Sequence, residues 1–341
     1  KGFDSMWTDM SEIVRPTRDG IHGREYINTC IELSRRVSRL RFKDDMSLDM
    51  DLPPILEIPL PLMFQQPSFG VLSDNVLVAA AMTAHRLETM MFIKPEDYTE
   101  VLMPYAESLV PCVTRETVDK HSELIKKSRM VELAYETGIE NEFDRVRGLK
   151  KDVIIAVGLP LNAQAADRAL TLTQAGVDTI HFYADDHGNE LETDKPRFLK
   201  EMIREVHLKL VEKCIRKQVK LIFSGGIAMA EHMAKAIICG ADGITVDIPL
   251  LIALECRVCY QCVKDLPCPV RLEDFDPDWG SQRIANLIAA WRNQLIEVMG
   301  AMGIREVRRL CGEVGRSMWF EDLEKESFAP LFGERKVKGL E

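Results

Sequence analysis

The chain has 341 residues, with 54 acidic and 44 basic side chains and a formal charge of −10. This acidic balance excludes a nucleic-acid-binding surface, which needs clustered Lys and Arg to displace counterions. Apolar residues make up 46% of the chain, and no apolar run reaches the ~18 residues of a membrane span, so we expect a folded chain without a transmembrane segment. The sequence begins with Lys1 rather than Met, so we expect that residues precede it or have been removed.

Apolar strand-like runs alternate with amphipathic helices from Pro53 onward. The predicted strands cover residues 55–64, 89–93, 108–113, 153–157, 179–183, 220–223 and 243–247. The predicted helices cover residues 74–86, 115–136, 163–175, 197–217 and 229–239. This alternation predicts an α/β fold with parallel strands, either a doubly wound sheet or a (β/α)8 TIM-type barrel with an eighth strand hidden within residues 115–151. No G-x-G-x-x-G opens a helix, which disfavours a dinucleotide-binding sheet.

Four of the nine cysteines fall within 13 residues: Cys256, Cys259, Cys262 and Cys268. The chain is too long and too poor in other cysteines for a secreted disulfide scaffold, so the cluster indicates a metal site in a reducing compartment. Two-residue spacings, a distant fourth cysteine and a following proline are typical of iron–sulfur ligands. Zinc and unliganded thiols are the alternatives. Four ligands favour a [4Fe-4S] cluster, and a [3Fe-4S] cluster held by three of them is the second possibility.

Two glycine-containing segments follow predicted strands. Ser224-Gly225-Gly226 precedes a helix, where free N–H groups bind phosphate in many barrels, although a tight turn also needs small residues. The segment at 67–75 contains Gly70, which permits a close backbone approach, and Ser73, which suits the N-cap of the next helix.

A polar segment follows the predicted strand at 179–183. Asp185, Asp186 and His187 are candidates for acid–base catalysis or metal binding, and a solvated loop is the alternative. At the far end of the chain, residues 281–302 form an amphipathic pattern that predicts a helix packed on the core. The tail beyond it has aromatic residues among charges, which suits a docking segment.

Taken in order, residues 53–312 resemble the FMN-binding (β/α)8 synthase domain of glutamate synthase, especially its archaeal-type members. Residues 68–73 resemble the family's first barrel loop, which lies against the flavin. Residues 224–243 resemble its phosphate-binding unit, residues 250–270 its iron–sulfur loop, and residues 283–286 the segment after that loop. The resemblance implies that the four cysteines hold the cluster. It implies that FMN contacts Ser68, Phe69, Gly70, Ser224, Gly225, Gly226 and Gly243.

The resemblance also implies a reaction, in which hydride passes from FMN to 2-iminoglutarate and electrons arrive through the iron–sulfur centre. Several parts needed for that reaction are missing. The family's glycine-rich substrate loop is absent, residues 154–159 contain no lysine, and Asp185-Asp186-His187 stands where the family has glycines. The family's Gly-Thr beside the phosphate is replaced by Asp247-Ile248, and a carboxylate there repels a phosphate. Asp247 therefore argues against FMN.

We therefore predict a glutamate synthase-like oxidoreductase subunit that relays electrons between a [4Fe-4S] cluster and FMN, without the usual glutamate-forming pocket. One alternative is a non-catalytic, cluster-bearing scaffold subunit that lacks FMN. The other is an active glutamate synthase with a rewired substrate loop. The expected partners are other redox subunits of a larger complex, with a ferredoxin-like or NAD(P)H-linked electron donor, in the cytoplasm.

The expected organisation has four parts. They are a helical N-terminal extension (1–52), an FMN-type barrel (53–254), an iron–sulfur loop (255–280) and a C-terminal helix with a docking tail (281–341).

Overall fold

The computed structural model describes residues 27–37, 39–50, 52–67, 69–70, 72–314 and 325–326. Two short strands, β1 (Ile31–Glu32) and β2 (Glu57–Ile58), pair antiparallel ahead of a closed barrel of eight parallel strands. The barrel strands are β3 (Leu62–Gln65), β4 (Met91–Ile93), β5 (Leu109–Val113), β6 (Met130–Ala134), β7 (Ile154–Pro160), β8 (Thr179–Tyr183), β9 (Lys220–Ser224) and β10 (Gly243–Val246). Each strand pairs with the next along the chain, and β10 pairs with β3 to close the barrel. The predicted (β/α)8 fold is confirmed.

Eight α-helices are described. They are α1 (Asp74–Arg86), α2 (Ser122–Lys127), α3 (Phe143–Leu149), α4 (Ala165–Gln174), α5 (Leu199–Glu212), α6 (Ala230–Cys239), α7 (Ile248–Ala253) and α8 (Pro277–Ala301). Helix α1 has the predicted bounds, and the Ser73 hydroxyl accepts a hydrogen bond from the Val76 N–H, as expected of an N-cap. Helices α4 and α6 are each followed by a glycine with positive φ, Gly176 and Gly240, before the next strand.

The predicted helix at 115–136 is wrong, because this stretch contains the missing eighth strand. Helix α2 has only six residues and ends at Ser128, whose backbone is extended. Strand β6 follows, and its first four residues are all buried. A strand inside a parallel barrel is covered on both faces, so its apolar run lacks the alternation that separates a strand from a helix.

The N-terminal extension is not helical in its described part, contrary to the prediction. Residues 27–37 and 39–50 form β1, isolated bridges and turns. Leu33 is fully buried, and its carbonyl accepts a hydrogen bond from the hydroxyl of Thr179, the first residue of β8. The extension therefore lies across the N-terminal end of the barrel. Residues 1–26 lie outside the described part of the chain.

Helix α8 packs on the barrel's outer layer, as its apolar spacing predicts. Ile284, Ile288, Trp291, Leu295 and Met299 are buried. The Thr83 hydroxyl of α1 lies 2.9 Å from the Ser281 hydroxyl, which joins the two helices. The predicted docking tail, with Trp319, Phe320 and Phe328, lies outside the described residues. In the described part of the chain, no helix has both the length and the apolar character needed to cross a membrane.

Candidate functional site

The four clustered cysteines line one cavity next to the C-terminal end of the barrel strands. Helix α7 begins where β10 ends, and the cysteine loop starts two residues after the helix. The cavity is also lined by the loop that follows β3, through Phe69 and Gly70. The fold thus brings together two segments that are about 190 residues apart, each of them predicted to bind a cofactor.

The cysteine sulfurs are close enough to influence one another. Burial raises the pKa of the Cys256 thiol, and the Val258 N–H, which donates to its sulfur at 3.4 Å, lowers it. The nearby Cys268, Cys259 and Cys262 raise it further. Burial and the neighbouring cysteines thus oppose a free thiolate at Cys256. Among the described residues, however, no three His, Cys, Asp or Glu side chains are placed to hold a metal ion.

The cysteine loop has an unusual backbone. Five of the nine non-glycine residues with positive φ in the described chain lie in it or at its ends: Glu255, Val258, Tyr260, Asp265 and Arg271. Such a conformation costs of order 1 kcal/mol or more per residue and persists only where other interactions impose it.

The loop after β3 packs against the cysteine loop rather than standing free. The Phe69 and Tyr260 rings have centroids 4.6 Å apart. Gly70 has φ +110°, and a Cβ there would lie 3.2 Å from the Leu251 side chain. The Asn75 side chain donates a hydrogen bond to the Glu273 carbonyl at 2.8 Å, which ties the start of α1 to the end of the cysteine loop. Ser68, predicted to contact the flavin, lies outside the described residues.

The Ser224-Gly225-Gly226 segment contacts the loop after β8. Gly225 and Gly226 both have positive φ. A Cβ on Gly225 would lie 2.5 Å from the Asp185 carbonyl oxygen, and one on Gly226 would lie 2.4 Å from the Gly188 nitrogen. The glycines are therefore required by close packing against the chain itself, whether or not a phosphate also binds there.

The three candidate catalytic residues occupy this loop after β8. The Asp185 carboxylate accepts hydrogen bonds from the backbone N–H of His187 at 2.9 Å and of Asn189 at 2.7 Å. Partial burial raises the pKa of Asp185, but the hydrogen bonds from Asn189 and His187 lower it by more. Asp185 therefore shapes the loop, whereas Asp186 and His187 are exposed to solvent.

Asp247 lies at the N-terminus of α7, beside the segment predicted to bind phosphate. Its carboxylate accepts a hydrogen bond from the Ile248 N–H at 2.6 Å. Burial raises the pKa of Asp247, the Ile248 N–H lowers it, and the nearby Asp186 raises it. An acidic group thus already occupies the position of an anion, so the residues present do not fit a flavin phosphate here while Asp247 is ionised.

Gly243, also predicted to contact FMN, belongs to the other end of the barrel. It opens β10, and a Cβ on it would lie 3.1 Å from the Ile31 side chain of the N-terminal extension. This placement corrects the prediction, because the C-terminal end of β10 is marked by Asp247 and not by Gly243.

The barrel interior contains a buried polar network that no sequence motif predicted. Glu132 accepts hydrogen bonds from His181 Nδ1, at 2.7 Å, and from the Tyr183 hydroxyl. His181 Nε2 lies 3.5 Å from the Thr245 hydroxyl. Glu132 is 3% exposed and His181 is fully buried. These contacts join β6, β8 and β10, which are not adjacent, so the side chains point toward the barrel axis.

Gly158 leaves space for this network, and burial keeps the Tyr183 hydroxyl and the Cys112 thiol protonated. A Cβ on Gly158 would lie 2.9 Å from the Tyr183 ring and 3.1 Å from the Glu132 carboxylate. Burial and the Glu132 charge raise the pKa of Tyr183, so the phenol stays protonated and donates. The same two causes raise the pKa of the Cys112 thiol. The only sequence signal for this network is a charged residue, Glu132, within an apolar strand.

Known proteins with similar sequences point to one family. A family model described as the conserved region in glutamate synthase matches residues 192–305, which include β9, β10, the cysteine loop and α8. The archaeal glutamate synthase [NADPH] of Methanocaldococcus jannaschii is 23% identical over 380 residues, covering 92% of this chain and 74% of that protein. The archaeal-type enzyme of Thermotoga neapolitana is 22% identical, covering 91% of this chain and 73% of that protein.

Over most of its length, the chain is similar to the archaeal-type glutamate synthases at 22–23% identity. The resemblance proposed from the sequence is thereby confirmed.

Solved structures share the fold at lower identity. A flavocytochrome b2 mutant with benzoylformate gives a TM-score of 0.55 at 13% identity, covering 95% of this chain and 87% of that chain. A mandelate oxidase mutant with benzaldehyde gives a TM-score of 0.54 at 14% identity, with coverage of 85% and 87%.

Proposed function

We propose that this protein is a glutamate synthase-like oxidoreductase subunit that carries electrons through an iron–sulfur cluster held by Cys256, Cys259, Cys262 and Cys268. The observation that supports this most directly is the gathering of all four cysteines around one cavity at the barrel mouth. The similar archaeal-type enzymes support the oxidoreductase class. We further propose that the protein works in the cytoplasm within a larger redox complex, with a ferredoxin-like or NAD(P)H-linked donor.

The donor set suits a [4Fe-4S] cluster. Each thiolate of a cubane binds a different iron, so the four sulfurs stand farther apart than four ligands around one zinc ion. Phe69 and Tyr260 pack against each other at one side of the cavity. A cluster held by these cysteines would supply one-electron transfer, and the protein would supply a fixed site for it.

FMN is the second cofactor that the similar proteins support, and a flavin beside the cluster completes the proposed electron relay. Against it stands the buried Asp247 carboxylate at the N-terminus of α7. That residue favours the second candidate function, a scaffold subunit that holds the cluster but no FMN. The two candidates share the cluster and differ in the flavin, so one preparation distinguishes them.

The test is a visible spectrum of anaerobically purified protein, with iron, sulfide, zinc and FMN quantified on the same sample. We expect about four iron atoms per chain and matching sulfide. Zinc in place of iron, or neither metal, would refute the proposed function. Iron with stoichiometric FMN supports the relay, whereas iron without FMN supports the scaffold.

Asp247→Asn tests the electrostatic argument separately. Asparagine keeps an oxygen that can accept the Ile248 N–H but removes the charge. At an effective dielectric constant of 20, two unit charges roughly 10 Å apart repel by about 1.7 kcal/mol, so we expect FMN affinity to rise at least about tenfold. Asp194→Asn is the matched control, because Asp194 is an exposed carboxylate in a loop. Equal FMN affinity of the wild type and both variants would show that the Asp247 charge does not weaken binding of the FMN phosphate.

A further inference from the structure

A second cavity lies at the opposite end of the barrel from the cysteines. Gly176, which borders it, lies three residues before the start of β8, and Gln218 lies two residues before the start of β9. The cavity is therefore at the N-terminal ends of the strands. Its volume is about 330 Å³, which falls at the lower end of the range of small-molecule sites. The residues that line it are Arg35, Arg36, Val37, Arg39, Arg41, Met50, Thr173, Gly176 and Gln218.

Four of these residues are arginines, and none is acidic, although the chain as a whole has a charge of −10. Arg36 is paired with Glu32 at 2.9 Å, and Arg35 lies 3.5 Å from Asp178. Within the described residues, neither Arg39 nor Arg41 has a carboxylate at ion-pair distance. The cavity therefore holds more positive charge than the described residues around it neutralise, which raises the local concentration of anions.

The pairing of Arg35 is also incomplete. Its Nε is buried and has no hydrogen-bond acceptor among the described residues, and Asp178 Oδ1 is likewise unsatisfied. Burial raises the pKa of Asp178, although Arg147 and Arg35 act in the other direction. Arg35 Nε faces Asp178 Oδ1 at 3.5 Å, so this ion pair neutralises Arg35 only in part and the guanidinium still adds positive charge to the cavity wall.

We propose that this arginine cavity binds a small molecule that carries a phosphate group. Guanidinium groups match the geometry of phosphate with paired hydrogen bonds, and several of them together neutralise a dianion. Val37 and Met50 give the cavity an apolar side that suits the carbon-rich remainder of such a ligand. The site is separate from the cysteine cavity, since the two open at opposite ends of the barrel, and it does not depend on the proposed redox function.

The test uses the full chain and three probes: pyrophosphate, ADP and succinate. Calorimetric titration at low salt measures affinity, and a thermal melt confirms that the folded state is the one that binds. We expect saturable binding of pyrophosphate and ADP, with ADP bound more tightly because of its apolar part, and weaker binding of succinate. Affinity should fall as NaCl is raised, because the cavity is open to solvent.

Arg39→Gln/Arg41→Gln should weaken pyrophosphate binding at least tenfold, because it removes the two arginines that make no ion pair with a described residue. Lys120→Gln/Lys127→Gln is the control: it changes the net charge equally at exposed positions that do not line the cavity. Arg39→Lys/Arg41→Lys should retain part of the affinity, because the positive charges remain but the paired N–H donors of the planar guanidinium groups are lost. Absence of saturable binding, tighter binding of succinate than of phosphate, or equal binding by the glutamine double variant and the control would overturn the proposal.

Discussion

Glu132 provides the sharpest test of how the barrel interior is stabilised. Its carboxylate is the shared acceptor for His181 Nδ1 and the Tyr183 hydroxyl, and all three groups lie inside the barrel. Glu132→Ala removes that acceptor and leaves two buried donors without a partner. Glu132→Gln keeps the volume and one acceptor oxygen, so the two substitutions separate the hydrogen bonds from the packing.

The expected loss in the free energy of unfolding follows from these hydrogen bonds. A buried donor left unsatisfied costs about 1–3 kcal/mol, so the alanine variant should lose about 2–6 kcal/mol from the two donors, and the cavity adds to this. The glutamine variant should lose only about 1–2 kcal/mol. Its amide donates to His181 Nδ1 if the ring takes the other tautomer, whose Nε2–H points toward the Thr245 hydroxyl, 3.5 Å away.

Equilibrium urea unfolding at pH 7, followed by far-UV circular dichroism, measures both costs, with unchanged m-values as the condition for comparison. Glu116→Ala is the control, because Glu116 is exposed and its loss should change stability by no more than about 0.5 kcal/mol. If Glu132→Ala costs less than about 1 kcal/mol, the network does not stabilise the fold in the way argued. An equal cost for Gln and Ala would mean that the charge, rather than the hydrogen bonds, stabilises the barrel interior.

The cluster and the pH dependence of stability can each be tested by a single substitution. Cys259→Ser should abolish the [4Fe-4S] spectrum and Cys214→Ser, at an exposed cysteine outside the loop, should not; a cluster that survives the loss of Cys259 indicates [3Fe-4S] held by the other three. Burial and the neighbouring Arg216 lower the pKa of His207 to about 4, below its ordinary 6.5. Its contribution is therefore present above pH 6.5 and is lost as the pH falls toward 4, by at most about 3 kcal/mol. His207→Gln should make the free energy of unfolding less dependent on pH between 6.5 and 4. An unchanged pH dependence would show that His207 does not cause it.

The fold was largely predictable because it depends on local patterns. Regular alternation of strands and helices specifies parallel strands, and the cysteine spacing identified the four cysteines that share one cavity. The misplaced elements are those whose identity depends on their surroundings. Strand β6 is buried on both faces, so its apolar run resembles a piece of helix until its neighbours are known. The extension at 27–50 is set by its packing across the barrel end and not by a helical period of its own.

The candidate site was predictable in chemistry but not in geometry. Gly243 was assigned to the flavin through the family resemblance, yet strand direction places it at the far end of the barrel. Glu132 and Tyr183 are 51 residues apart and meet only because β6 and β8 belong to one closed sheet. No spacing rule within a sequence connects two such residues.

The two sides of the barrel mouth differ in their chemistry. On the cysteine side, the loops after β3 and α7 form an open cavity lined by sulfur. On the other side, the loop at 184–188 packs against Gly225 and Gly226, and Asp247 occupies the start of α7. Asp247 adds a negative charge on that side and leaves the four cysteines of the other side unchanged. Under the proposed function, the cysteine side alone carries electrons, and Asp247 bears only on whether FMN also binds.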